Sequence, residues 1–326
     1  IDRRNMPVIA AITAGGRLLP DHYLWDMWPV QCVDGATAQI CDGTLWMILS
    51  SPICDDPEAR HGSARVRLLH EHSPSGGWRD LGNLLPDGHS PGSREWAGSA
   101  IFDPDQSRVI LYFTATGYAG EASLSFGQRL YKTSADLAIV ESMPTLQNWS
   151  DPAECVTNCG TFYMQVDEHD GTPGKIKAFR DPAWFRDPAD GDYLVFAASM
   201  PSGGSQNGAI GIAIADQAAP GGWRLLPPLL SAGGLNNELE RPHIVHRDGL
   251  YYLFWSTHDF TFADGGPIGP SGLYGMVAPS ALGPYAPLNG TGLVAANPED
   301  ASAQAYSWLV LDDLRVASFV DSPDGS

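Results

Sequence analysis

The apolar residues of this chain fall into short runs that turn-forming residues interrupt, and this spacing is the strongest constraint on its fold. The runs lie at residues 44–49, 65–70, 100–102, 109–114, 193–198, 210–215, 251–256, 273–277 and 315–319. The 36 glycines and 26 prolines among 326 residues supply turns between the runs. Runs of strand length with turn signals between them predict an all-β protein, and no stretch shows convincing helical periodicity with caps.

A short motif follows these runs at three places. It reads G-W-R at 77–79 and at 222–224, and G-P-Y at 283–285, with leucine and proline shortly after each copy. Each copy resembles a last strand that closes a small sheet after two or three earlier strands. Repeated sheets of about four strands predict a β-propeller. A β-sandwich is the alternative that this divergent repeat leaves open.

Acidic and aromatic side chains gather in four stretches that begin these units. The stretches are Trp25-Asp26, Glu95-Trp96, Arg180-Asp181-Pro182 and the E-L-E-R run from Glu238 to Arg241. In a propeller the innermost strands surround a channel, so residues far apart in sequence meet there. Each stretch alone has a simpler interpretation, such as a solvated strand end or an ion pair in a turn. The second R-D-P copy, at 186–188, precedes A-D-G and is predicted to be a hairpin turn.

Three carboxylates and nearby indoles are typical of glycoside hydrolysis. One carboxylate attacks the sugar, a second carries a proton to the leaving oxygen, and a third binds sugar hydroxyls as charge develops on the ring. Glu238 and Glu240 are two residues apart, so a regular strand places them on one face. Like charges held close raise one pKa, and we expect Glu240 to keep its proton to a higher pH than in water.

The overall charge excludes some classes of partner. The formal net charge is −19, which argues against binding nucleic acid or an anionic membrane, and the sequence has no apolar run of about 18 residues. A neutral sugar is compatible with this charge. The five cysteines include Cys155 and Cys159, whose C-x3-C spacing is a poor zinc pattern. These two thiols form a small disulfide loop or stay free, and no metal site is predicted.

The four stretches, in this order, resemble the levansucrase family, glycoside hydrolase family 68. Residues 24–35 resemble its nucleophile motif, and the run R-E-W-A-G-S-A at 94–100 resembles its E-W-S-G-S-A motif. The R-D-P run at 180–182 and the E-L-E-R run at 238–241 resemble its R-D-P and E-x-E-R motifs. The resemblance extends from Trp25 to about Phe319, which is most of the chain.

The resemblance implies a five-bladed β-propeller with a central funnel-shaped active site, formed by residues 1–326 as a single catalytic domain. It implies cleavage of sucrose with retention, and transfer of the fructosyl group to water, sugars or growing fructan. It makes Asp26 the nucleophile, Asp181 the stabiliser of the fructosyl ring and Glu240 the general acid and base. The residues it implies for substrate binding are Trp25, Trp96, Arg180, Glu238, Arg241, His258 and Tyr306.

Three departures from the family pattern carry expectations of their own. Ala97 replaces the motif serine and removes a hydrogen-bond donor near the nucleophile, so we expect hydrolysis and short transfer products to be favoured over long fructan. Lys175 and Asn237 stand where calcium-binding members have acidic ligands, so we expect neither calcium nor another cofactor. The family normally continues beyond the position of Ser326, so we expect the last blade to be incomplete in this chain.

The resemblance also implies a secreted, extracellular enzyme, whose mature chain starts without a signal peptide. Two alternatives remain. A catalytically silent propeller that binds sugar would lack one of the three carboxylates, and all three are present. An invertase of family 32 would carry an N-D-P-N-G type nucleophile motif, which this sequence does not contain.

Overall fold

Strands form nearly all of the regular structure. The computed structural model describes residues 7–12, 16–72, 77–166, 171–172, 174–189, 191–202 and 204–321. Within these residues the helices are short 3-10 segments, at Pro57–Gly62, Pro220–Gly222, Asp259–Thr261, Leu288–Gly290 and Glu299–Ala301. None of the described helices has the length and apolar character needed to cross a bilayer. The prediction of an all-β protein is confirmed.

The strands form antiparallel blades in chain order. The first blade contains β1 (His22–Gln31), β2 (Gly43–Pro52), β3 (Arg65–His72) and β4 (Gly77–Asn83). The second contains β5 (Arg94–Asp103), β6 (Arg108–Thr116), β7 (Gln128–Val140) and β8 (Met143–Gln147), with β9 (Ala153–Val156) also paired to β7. A short parallel pairing of β1 with β5 joins the two blades along the channel.

Three further blades follow. The third contains β10 (Phe179–Asp187), β11 (Gly191–Ser199), β12 (Gly208–Ala215) and β13 (Trp223–Ser231). The fourth contains β14 (Glu240–Arg247), β15 (Leu250–Thr257), β16 (Gly272–Ala278) and β17 (Ala286–Pro287), with β18 (Leu293–Ala296) also on β16. The fifth has, in the described residues, β19 (Ala305–Val310) and β20 (Val316–Val320). The architecture is the predicted five-bladed propeller and not a sandwich.

The recurring motif marks the outer strands, as predicted. Its first copy begins β4, its second leads into β13, and its third immediately precedes β17. The second R-D-P copy lies at the hairpin between β10 and β11, where the pairing ends at Asp187 and Gly191. Asp190, in that turn, is outside the described residues. The expectation of a turn is therefore confirmed by the flanking strands.

Apolar side chains fill the spaces between neighbouring blades. Tyr112 of the second blade meets Trp223 of the third edge to face, with ring centroids 5.9 Å apart. Trp46 of the first blade shares an apolar cluster with Leu311, which follows β19 of the fifth. Since each blade packs on both faces, its middle strands are apolar on both faces, and β2 is buried over its whole length except Pro52. These contacts close the blades into a ring.

Polar bonds also cross between blades near the channel. The Ser99 hydroxyl of the second blade donates to the Pro182 carbonyl and accepts from the Trp184 N–H of the third, both at 2.9 Å. Between the fourth and fifth blades, the Val310 N–H donates to His243 Nε2 at 2.9 Å. Burial lowers the pKa of His243 to about 4, which keeps the imidazole neutral and able to accept.

Ser99→Ala is expected to destabilise the fold by about 1–3 kcal/mol, because it leaves a buried N–H and a buried carbonyl without their partner. Urea unfolding measures this loss. Ser123→Ala, at an exposed serine, is the matched control and is expected to leave the midpoint unchanged. Equal midpoints for the two variants would contradict the bridging role of Ser99.

Candidate active site

The first strand of each blade is its inner strand, and each of these five strands, β1, β5, β10, β14 and β19, contains a β-bulge. The pairing register shifts between Trp25 and Met27, Trp96 and Gly98, Arg180 and Ala183, Glu240 and His243, and Tyr306 and Leu309. A bulge leaves residues unpaired and turns their side chains away from the regular alternation. The predicted site residues Asp26, Asp181 and Arg241 lie in these bulges.

Four of the bulges contain a residue with positive φ. The angles are 41° at Asp26, 60° at Asp181, 48° at Arg241 and 57° at Ser307. Non-glycine residues in this region each cost of the order of 1–3 kcal/mol, and such residues cluster at functional sites. The bulge of β5 uses Gly98, where a Cβ atom would meet the Tyr112 carbonyl across the strand pair. The bulges of the inner strands are thus among the places where the backbone is locally strained.

A chain of hydrogen bonds joins the five bulges. The Thr114 hydroxyl donates to the Ala97 carbonyl at 3.1 Å and accepts from the Asp181 N–H at 2.9 Å. Asp181 Oδ2 in turn accepts from the Arg241 N–H at 3.4 Å. The Arg241 guanidinium donates to the Met27 carbonyl at 2.9 Å and to the Ser307 hydroxyl at 3.0 Å. These bonds fix the bulges of β5, β10, β14, β1 and β19 relative to one another.

Glu240 lies at the start of β14 between two donors. Arg180 Nη2 donates to its Oε1 at 2.6 Å, and the Tyr306 hydroxyl donates to its Oε2 at 2.6 Å. Burial alone would raise the pKa of this carboxyl, but the charges of Arg180 and His258 and the bond from Tyr306 lower it below its ordinary value. Glu240 is therefore ionised in the unliganded protein.

Glu238 carries the raised pKa of the acidic pair. Burial, with the nearby Glu240 charge adding to it, raises the pKa of Glu238 to about 8. The sequence predicted one raised value for the pair and assigned it to Glu240. That assignment was wrong, because Glu240 has the direct bonds from Arg180 and Tyr306. Within the pair, the pKa of Glu238 is thus raised and that of Glu240 is lowered.

Asp181 is the second buried carboxyl of the site. Burial raises its pKa to about 7, Arg180 opposes this rise, and the charges of Glu240 and Asp26 add to it. The Arg180 Nε atom lies 3.7 Å from Asp181 Oδ2. One guanidinium therefore serves two carboxylates that come from different blades.

Asp26 is half-buried in the bulge of β1. Its charge acts on Asp181, on Tyr306 and on Arg60, which places the four groups in one electrostatic neighbourhood. Arg60 is neutralised by Asp321, with two hydrogen bonds of 2.5 and 3.0 Å. The structure thus brings Asp26, Asp181 and Glu240 together, as the sequence predicted.

The predicted indoles lie beside these carboxylates but are largely buried. Trp25 is 2% exposed, and Trp96 is 7% exposed. The Arg60 guanidinium lies 5.4 Å from the Trp25 ring centre, and that of Arg180 lies 6.0 Å from the centre of Trp96. Most of each indole therefore packs against the protein, and only a small part is exposed.

An aromatic stack runs from Glu240 towards the surface. The Tyr306 and His258 rings are stacked with centroids 3.5 Å apart, and Phe260 stacks on the other side of His258 at 4.7 Å. Phe260 is 62% exposed. Sequence reasoning identified His258 and Tyr306 but missed Phe260, although it lies only two residues beyond His258.

Arg241 is 6% exposed, and its guanidinium is bound to protein atoms of two other inner strands. It donates to the Met27 carbonyl and the Ser307 hydroxyl, with the Trp28 ring centre 5.6 Å away. These contacts orient the backbone next to Asp26. Thr114, Ser307 and Arg60 have comparable supporting contacts, and no local sequence pattern indicated them.

A cavity of about 130 Å³ continues along the channel beyond the carboxylates. Its lining includes Trp28, Ser99, Asp181, Trp184, Arg241 and His243. Asp181 and Arg241 border both this cavity and the group of carboxylates, whereas Glu240 and Tyr306 do not line the cavity.

The described residues contain no cluster of three or more His, Cys, Asp or Glu side chains that could bind a metal. At the position expected to lack calcium, the Asn237 amide is bound to Lys177 and to the Gly174 carbonyl, and Lys175 is exposed. Of the two alternatives for the cysteines, the structure shows free thiols, with Cys155 buried and Cys159 exposed.

Comparisons with known proteins find matches over most of the chain. The sequence profile of the family described as Levansucrase/Invertase matches residues 3–204 and 202–324. A levansucrase of Rahnella aquatilis is 31% identical over 92% of this chain and 79% of its own length. A levansucrase of Pseudomonas savastanoi pv. glycinea is 32% identical over 92% of this chain and 76% of its own length.

Solved structures share the fold. The inulosucrase from Halalkalicoccus jeotgali bound to kestose superposes with a TM-score of 0.85 at 36% identity, covering 95% of this chain and 78% of that chain. The levansucrase from Gluconacetobacter diazotrophicus has a TM-score of 0.83 at 22% identity, covering 99% of this chain and 82% of that chain. Because the Gluconacetobacter diazotrophicus enzyme is only 22% identical, its similarity supports the fold alone.

The raised pKa of Glu238 predicts how stability changes with pH. Its value in the fold, about 8, lies above the ordinary 4.5, so the folded state binds this proton more tightly than the unfolded chain. The resulting stabilisation is complete below about pH 4.5 and is lost as the pH rises through about 8. We therefore expect the melting temperature of Glu238→Gln to fall less between about pH 5 and pH 8 than that of the parent protein.

Asp105→Asn, at an exposed carboxyl, is the control for this experiment and is expected to follow the parent curve. Scanning calorimetry at a series of pH values measures both. A Glu238→Gln curve parallel to that of the parent would contradict the raised pKa.

Proposed function

Because the chain belongs to the levansucrase and invertase family of glycoside hydrolases, we propose that it is a retaining fructosyl enzyme that acts on sucrose through a covalent fructosyl-Asp26 intermediate. The observation that carries the proposal is the meeting of Asp26, Asp181 and Glu240, each from the inner strand of a different blade. All three strands bulge at these residues or directly beside them.

The first half of the reaction releases glucose. The Asp26 carboxylate attacks the anomeric carbon of the fructosyl unit, and the bond from that carbon to the bridging oxygen breaks. Glu240 donates its proton to that oxygen, so glucose leaves as a neutral molecule. In the second half, the Glu240 carboxylate takes a proton from water or a sugar hydroxyl. The resulting oxygen attacks the anomeric carbon and frees Asp26.

Glu240 must acquire a proton before it can act as the acid. In the unliganded protein the proton of the pair is on Glu238. A bound sugar excludes water from Glu240 and offers hydroxyls to Glu238, and both effects favour moving the proton to Glu240. Activity should therefore fall as the pH rises through about 8, where the pair loses its proton.

The remaining site residues divide into two roles. Asp181, buried and next to Arg180, is placed to accept hydrogen bonds from the fructosyl ring, and the exposed parts of Trp25 and Trp96 flank that ring. Arg180 and Tyr306 position Glu240 through their bonds to its two oxygens. Arg241 is a positioning residue for Asp26, because it binds the Met27 carbonyl.

Water, small sugars and growing fructan are the proposed acceptors. The relatives named levansucrase and the inulosucrase bound to kestose support transfer to fructans. Extracellular action by a single catalytic domain is part of the proposal and follows from the family resemblance. A silent sugar-binding propeller is less well supported, because all three carboxylates converge with charged and hydrogen-bonding partners.

Incubation with sucrose tests the proposal. We expect release of glucose, with less free fructose than glucose because part of the fructosyl group goes to sugars. Asp26→Asn is expected to lower turnover by about 10⁴-fold or more, since an amide cannot form the fructosyl ester. Asparagine tolerates positive φ, so this variant should keep the fold. Asp55→Asn, at an exposed position, is the control.

Trapping of the intermediate identifies the nucleophile directly. Mass spectrometry of the denatured enzyme is expected to place the fructosyl label on Asp26. A label on Asp181 or Glu240 would overturn the assignment, and absence of glucose release by the parent protein would overturn the function.

Glu240→Gln separates acid catalysis from binding. The variant is expected to lose turnover on sucrose, whose leaving group needs a proton, and to lose much less on a fructoside with a good leaving group. Steady-state rates on the two substrates measure the difference. Equal losses would argue against the acid role of Glu240.

A further inference from the structure

The ammonium group of Lys177 is surrounded by oxygen atoms. Its Nζ atom donates to the Ser205 carbonyl at 2.6 Å, to Asn207 Oδ1 at 2.8 Å and to Asn237 Oδ1 at 2.6 Å. An ammonium donates through three N–H groups, and all three of these acceptors lie within hydrogen-bond distance. Asn207 is 3% exposed and Asn237 is 2% exposed, so the two amides are shielded from water, whereas Ser205 is exposed.

The two amides are oriented to receive this cation. Asn207 Nδ2 donates to the Met200 carbonyl at 2.6 Å, and Asn237 Nδ2 donates to the Gly174 carbonyl at 2.9 Å. Since the nitrogen of each amide is bound elsewhere, its oxygen must point towards Lys177. The cage is therefore built by the surrounding backbone and does not depend on Lys177 alone.

Lys177 and the two asparagines lie in segments that lead into three different strands, which we call the approaches to these strands. Lys177 lies two residues before β10, Asn207 immediately before β12, and Asn237 three residues before β14. Their bonds tie the approach to the inner strand of the third blade to that of the fourth. The first of these segments leads directly to Arg180 in β10, and the second contains Glu238 and leads to Glu240, the first residue of β14.

The backbone of Lys177 also contacts the site. Its carbonyl accepts from Arg180 Nη1 at 3.4 Å and from Gln128 Nε2 at 2.8 Å. Its charge acts on Glu238, whose immediate sequence neighbour Asn237 belongs to the cage. Lys177 thus contacts Arg180 directly and acts through its charge on Glu238, the other member of the acidic pair with Glu240.

We propose that Lys177 is a positioning residue of the active site. Its ammonium group aligns the segment that leads to Arg180 with the segment that contains Glu238 and leads to Glu240. The activity measurement of this role rests on the proposed function, whereas the effect of Lys177 on the pKa of Glu238 does not. Because the ammonium is part of the chain, its positive charge cannot dissociate from the oxygen cage as a bound metal ion could.

Lys177→Met tests the proposal, because methionine keeps an unbranched apolar side chain and removes the charge. We expect kcat/KM for sucrose to fall by about 10- to 100-fold, as misplacement of catalytic groups does. Lys175→Met removes an exposed lysine two residues away and is the matched control, expected to keep the parent kcat/KM. Unchanged kinetics in Lys177→Met below its melting temperature would overturn the proposal, whatever its stability.

Titration of Glu238 gives a second measurement that does not use sucrose. Loss of the Lys177 charge should raise the pH at which the Glu238-dependent fall in melting temperature occurs. That pH is obtained by comparing Lys177→Met and the parent protein, each with and without Glu238→Gln. Glu240, Arg180, Asp181 and Tyr306 also face Glu238 and are the same in both comparisons. An unchanged pH would contradict the contact between Lys177 and the pair.

Chemical rescue distinguishes a cation in the cage from general packing. Propylammonium chloride is expected to restore part of the activity and melting temperature of Lys177→Ala, because it replaces the missing methylenes and the ammonium. Tetramethylammonium chloride, which has no N–H donor, should not restore either. Equal effects of the two salts would contradict the cage. Failure of the parent protein to cleave sucrose would reject the proposed function, and the Glu238 titration and the rescue of melting temperature would still decide the role of Lys177.

Discussion

The hydrogen-bonded chain through the five β-bulges is the constraint on which the site depends. Five regular inner strands would alternate their side chains between the channel and the neighbouring blades. The bulges break this alternation, and Thr114, Asp181 and Arg241 join them through backbone atoms. Since each bulge is bound to another blade, displacement of one inner strand moves the reactive groups on the others. The rigidity of the site is therefore a property of the closed ring.

Arg180 determines how charge is distributed among the carboxylates. It lies against Glu240 at 2.6 Å and Asp181 at 3.7 Å, and it is itself buried. Without this cation, the burial of several carboxyls in one channel would favour their protonation. Arg180 keeps Glu240 ionised and leaves the raised pKa on Glu238. The carboxyls of Glu238 and Asp181 thus have pKa values near neutral pH, and their burial costs folding stability. Such a cost is common at functional sites.

Positive charges from outside the motifs support this arrangement. Arg60, paired with Asp321, lies over Trp25, and Lys177 lies in its cage of oxygens behind Glu238. Both cations come from segments outside the inner strands. Lys177 and Arg180 offset part of the carboxylate charge of the site, although the formal net charge of the whole protein is −19.

The sequence by itself determined the strand content and the outer-strand motif, which follow from periodicity and from residue types over a few positions and are local properties. It indicated the three carboxylates through the ordered motifs that resemble the levansucrase family. Only the tertiary structure decided that Arg241 faces Met27 and that Trp25 and Trp96 are mostly buried. It also decided that the proton of the acidic pair resides on Glu238. The reason is that Glu240 is ionised by Arg180, 60 residues away, and by Tyr306, 66 residues away, and such contacts exist only after the blades close into a ring.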